Sequence, residues 1–66
     1  MISNTQARVL SEIRNNPNIT IPQVARNQAL AKSTVDKTIA VLKKAGIIER
    51  VGSNKTGYWI INEDYL

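Results

Sequence analysis

Residues 33–57 read S-T-V-D-K-T-I-A-V-L-K-K-A-G-I-I-E-R-V-G-S-N-K-T-G: a basic helix with a polar start, a glycine stop, and then two runs of β-formers around a turn. Val35, Ile39 and Leu42 fall at i, i+4 and i+7, which gathers them into one stripe for burial. Lys32, Ser33, Thr34, Lys37 and Lys44 lie largely off that stripe. Gly46 can take the left-handed conformation that ends a helix, and Lys43 and Lys44 suit the negative end of its dipole. Ile47–Val51 and Tyr58–Ile61 flank G-S-N-K-T-G, which reads as a hairpin with a loop of about six residues. Trp59 and Ile61 share one face of the second strand and close the core.

Upstream, two shorter helices follow from their caps. Ser3 or Asn4 can start a first helix running to about Asn15, with Val9, Leu10 and Ile13 facing inward and Pro17 beyond its end. Thr20-Ile21-Pro22-Gln23 has the form of a capping box, with Ile19 and Val24 as a hydrophobic staple and Pro22 in the first turn, where its missing N–H is harmless. The second helix then covers about 21–28 and the third about 33–45, with a hairpin over about 47–61. The fold class is mainly α with a small β-hairpin (α+β), in one domain over residues 1–66.

Sixty-six residues bury only about 60% of the surface of the unfolded chain, so stability is marginal and caps matter. The chain has no cysteine and no histidine, which removes disulfides, thiolate metal sites and the commonest general base. An enzyme is not expected, and no metal or cofactor is implied. No apolar run is long enough to span a bilayer and no signal peptide is visible, which points to a soluble cytoplasmic protein.

The formal charge of +4 is unevenly placed. Residues 1–31 hold Arg8, Arg14 and Arg26 against Glu12, for +2; residues 56–66 hold Glu63 and Asp64, for −2. Residues 32–55 carry Lys32, Lys37, Lys43, Lys44, Arg50 and Lys55 against Asp36 and Glu49, for +4. Positive charge on one helix and the adjoining hairpin attracts a polyanion by releasing condensed counterions, although lysines also simply solvate a helix face.

N-P-N-I-T-I-P-Q-V-A at 16–25, S-T-V-D-K-T-I-A-V-L-K-K-A-G-I-I-E-R at 33–50 and V-G-S-N-K-T-G-Y-W at 51–59 together resemble the winged helix-turn-helix domains of bacterial and archaeal transcription regulators, the MarR-like group among them. The likeness extends to the small winged-helix module at the C-terminus of larger ATP-binding transcriptional regulators. It implies a three-helix winged helix-turn-helix that binds double-stranded DNA, with the third helix in the major groove and the wing on the backbone. The positions so implicated are Lys32, Ser33, Thr34, Lys37 and Lys44 on the helix and Arg50, Ser53, Asn54 and Lys55 on the hairpin. Ser33 or Thr34 can equally be the helix cap, and one hydroxyl can serve both purposes.

The chain departs from the pattern between the second and third helices. Gln28-Ala29-Leu30-Ala31 stands where relatives read like L-G-I-S, so Ala29 replaces a glycine and Ala31 a polar cap. The cap of the third helix is then expected to shift to Ser33 or Lys32, unless Ala31 keeps the cap position. Ala40 and Val41 occupy positions that are often polar in relatives. The alternative function is a protein-docking or oligomerisation module built on the same fold, with RNA binding a lesser option. Stacking of Tyr58 and Trp59 on unpaired bases and metal binding by Glu63 and Asp64 are weaker readings than core packing and tail solvation. No sensor domain and no long dimerisation helix fits this length, so regulation would come from another segment or a larger parent protein.

Overall fold

In the computed structural model, residues 3–53 and 56–62 are described. The order is α1 (Asn4–Asn15), α2 (Ile21–Gln28), α3 (Lys32–Lys44), β1 (Ile48–Val51) and β2 (Tyr58–Ile61). The expected capping box forms at α2, and α1 has one as well, with Ser3 as its N-cap. Ser3 accepts from the Gln6 N–H at 3.1 Å while Gln6 accepts from the Ser3 N–H at 3.1 Å, and Thr20 and Gln23 make the same exchange at 3.3 and 2.9 Å. Ile19 and Val24 are buried on either side of the second box, as a staple requires.

α2 and α3 end alike. The Leu30 N–H donates to Ala25 O at 2.9 Å across a left-handed Ala29, and the Ile47 N–H donates to Leu42 O at 2.9 Å across a left-handed Gly46. Both are Schellman closures, and in each the following apolar residue packs on the core. They differ in strain: φ is 78° at Gly46 and 55° at Ala29, the latter being the single non-glycine residue with positive φ among those described. Arg8 of α1 reinforces the strained end, donating from Nη2 to Gln28 O at 2.7 Å and from Nε to Gln28 Oε1 at 2.9 Å.

The start of α3 corrects the sequence reading. The helix begins at Lys32, its N-cap is Ala31, and no side chain caps it; Ser33 lies inside the first turn. The cause is the short connection. After Ala29 only Leu30 and Ala31 remain before the helix, Leu30 must reach the core, and the Val35 N–H already donates to Ala31 O at 3.1 Å. Those constraints set the helix phase before a polar side chain is in place to cap it.

Val9, Leu10 and Ile13 from α1, Val24 from α2 and Val35, Ile39 and Leu42 from α3 meet in one core, which Ile48 and Trp59 of the hairpin close. The strands pair antiparallel, with Ile48 opposite Ile61, Glu49 opposite Ile60, Arg50 opposite Trp59 and Val51 opposite Tyr58. Alternation therefore turns Ile48, Arg50, Trp59 and Ile61 inward and Glu49, Val51, Tyr58 and Ile60 outward. Trp59 joins the hairpin to the α1–α2 connection twice: its backbone N–H donates to Pro17 O and its indole Nε1–H to Ile19 O, both at 2.8 Å.

Two substitutions test the α2–α3 turn. Ala29→Gly removes the left-handed strain and should stabilise by about 1 kcal/mol, and Ala31→Ser should add about 0.5–2 kcal/mol by capping. Ser33→Ala should be near neutral. Thermal melts check all three, and a lower melting temperature for either stabilising variant contradicts the turn described.

Candidate nucleic-acid interface

At about 100° per residue, the buried stripe of α3 has an opposite face made of Ser33, Lys37, Ala40 and Lys44, at i, i+4, i+7 and i+11. All four are exposed. Lys32 and Lys43, eleven residues and three turns apart, fall together on one flank of the stripe, while Thr34 and Val41 fall on the other. Thr38 and Thr34 are tied there through the Thr38 hydroxyl, which donates to Thr34 O at 2.8 Å.

The flank with Lys32 and Lys43 faces the hairpin. A groove of about 410 Å³ opens between α3, the start of α2 and the inner face of the strands. Lys32, Lys43 and Arg50 bring three cations to it, and Ile21, Pro22 and Trp59 supply apolar wall. Lys43 was not among the residues singled out from sequence for this surface. Its spacing from Lys32 was the available signal.

Arg50 stands differently from the exposed DNA contact implied by the resemblance. It is half-buried on the inner face, with its guanidinium carbon 4.8 Å from the centroid of the Trp59 ring and Nη2 donating to Ser53 O at 2.9 Å. The side chain holds the wing loop to the core. Ser53 is likewise engaged within the loop, its hydroxyl accepting from the Thr56 N–H at 3.0 Å and lying 2.7 Å from the Thr56 hydroxyl. The Gly57 N–H closes the turn on Ser53 O at 2.7 Å. A Cβ at Gly57 would run into Val51 O and Ser53 O, so glycine alone fits. Asn54 and Lys55, the expected wing-tip contacts, lie outside the described residues.

The sequence-derived residues thus separate into groups. Ser33, Lys37 and Lys44 share the outward face, Lys32 lines the groove with Arg50, Ser53 shapes the wing loop, and Thr34 sits on the far flank. Of the two aromatics considered for base stacking, Trp59 is buried in the core and Tyr58 is exposed on the outer strand face. No cluster of three or more potential metal ligands occurs among the described residues, and no helix there is long and apolar enough to cross a membrane.

Arg50→Lys separates charge from shape, because an ammonium keeps the charge but loses the planar stack and the directed N–H to Ser53. The variant should lose about 1 kcal/mol of stability and exchange the Gly57 amide proton faster. An unchanged melt with unchanged Gly57 exchange would show that the guanidinium does not hold the loop.

Comparison with known proteins agrees with this architecture. Staphylococcus aureus MarR in complex with salicylate and kanamycin superposes with a TM-score of 0.79 at 20% identity, over 96% of this chain and 44% of that one. The chain therefore spans less than half the length of that solved relative, and at this identity the likeness establishes the winged-helix fold alone. No curated protein matches the sequence at a significant level. The MarR family profile matches residues 2–57, which is most of the chain. On that match, with three helices and a wing in the same order, the chain belongs to the MarR family.

Proposed function

We propose that this chain binds double-stranded DNA as the DNA-reading domain of a transcription regulator, with α3 in the major groove and the wing on the phosphate backbone. The observation that carries the reading is the placement of charge on α3. Lys37 and Lys44 stand on the face opposite the core, and Lys32 and Lys43 bring further positive charge to the groove under the wing. A cationic helix flanked by a cationic groove suits a duplex, whose phosphates run on both sides of the major groove. Membership of a regulator family agrees with it.

A second reading, protein docking, draws on the outer strand face, where Val51, Tyr58 and Ile60 are each about 40% exposed. Those three residues form a small patch beside Glu49, well short of a stable interface on their own.

Fluorescence anisotropy with a bulk duplex across a salt series tests the DNA reading. Log affinity should fall linearly with log salt, and Lys55→Ala should reduce the slope by about 1 while weakening all duplexes alike. Lys37→Ala should also change the ranking of sequences, with about 1–3 kcal/mol lost at one base pair. A signal that is absent at low salt, or independent of salt, favours docking instead.

A further inference from the structure

The helix that carries the positive surface holds one carboxylate, Asp36, against Lys32, Lys37, Lys43 and Lys44. Its presence needs a reason, because a negative charge on a face built for a polyanion weakens binding wherever it meets phosphate. The structural reasons fail in turn. A capping box with Ser33 would employ it, but α3 starts at Lys32 with no side-chain cap, so Asp36 is the fifth helical residue and cannot reach back to the cap. It lies past the first turn, where the helix dipole favours an acid. The Lys32 ammonium is 3.4 Å away with side-chain exposures of 63% and 46%. That order, lysine before acid at i and i+4, is the weaker arrangement, and exposed pairs contribute little.

Position supplies the reason instead. Around α3, Asp36 falls between the groove flank of Lys32 and Lys43 and the outward face of Ser33, Lys37, Ala40 and Lys44. A duplex that touches both the wing and the outward face must pass over that arc. Resting on the DNA-binding reading above, we infer that Asp36 is a specificity-determining residue of α3, which accepts a hydrogen bond from the exocyclic amine of a cytosine in the major groove. A carboxylate only accepts, so it cannot bind phosphate oxygen, guanine O6 or N7, or thymine O4; of the two major-groove donors, adenine N6 stands beside the acceptor N7, which repels a carboxylate, and cytosine N4 is the one that suits it. The same charge lowers affinity for unmatched duplexes, which widens the gap between the right site and the rest. Lys32 holds the carboxylate in place and offsets part of its repulsion.

The test selects duplexes from a pool with randomised bases, using the parent, Asp36→Ala and Asp36→Asn, and titrates each protein against one bulk duplex. Circular dichroism confirms that the exposed substitutions leave the fold intact. The parent should enrich cytosine at one position by about tenfold. Asp36→Ala should lose that enrichment and bind bulk DNA several-fold more tightly, since a repulsive charge has gone. Asp36→Asn should move the preference to adenine, whose N6 and N7 match an amide. The same base preference in all three proteins, or a parent without any, overturns the role of Asp36 while leaving DNA binding in place. A parent that binds no duplex overturns the DNA reading, and this inference with it.

Discussion

The hydrogen bond from the Trp59 indole to Ile19 O is the contact on which the rest of the domain depends. A two-stranded hairpin is marginal in water unless it packs against something else. Here Trp59 sets its large apolar face into the helical core and pairs the one polar atom of its side chain with the Ile19 carbonyl in a buried hydrogen bond. Ile19 is the counterpart in every sense. Its side chain is in the core, its N–H donates to Asn16 O, its carbonyl takes the indole, and the next residue caps α2. The start of α2 and the position of the hairpin are set at one junction.

From that junction the interface follows. Arg50 lies over the Trp59 ring and reaches Ser53, so the wing loop is positioned through the same indole. α3 packs Val35, Ile39 and Leu42 beneath, which turns Lys37 and Lys44 outward and Lys32 and Lys43 toward the strands. Their common surface exists because one apolar stripe and one indole fix the relative placement of helix and wing.

Much of the fold was legible because its devices are local. Ser3 with Gln6 and Thr20 with Gln23 each state a helix start within four residues, and Gly46 states a stop. The α3 start was not legible: Ala31 has no capping atom to announce it, and the phase comes from burial of Leu30 and Val35 instead. Ser33 and Asp36 are spaced like a cap pair, but the helix begins at Lys32, so both lie within it and neither caps it. For the interface, lysines on α3 were read correctly as lying off the core stripe, since helical spacing alone decides that. Arg50 needed the strand period as well: it alternates with Ile48 and pairs with Trp59, which places it inward, whereas the resemblance implied a wing contact to DNA. Lys43 counts in the sequence toward the positive charge of residues 32–55 and the helix dipole, and its place beside the groove follows only from its alignment with Lys32 three turns earlier.

Hydrogen exchange of the Trp59 indole Nε1–H measures the junction directly. If the indole is held by Ile19 as the structure has it, and helix and wing move as one body, that proton exchanges only on global unfolding. It then shows the same opening free energy as the amides of Ile39 and Leu42 in α3. Exchange through a local opening, with protection far below that of α3, would mean that the wing comes away from the helices while they stay folded, and the single positive surface would no longer follow from the fold.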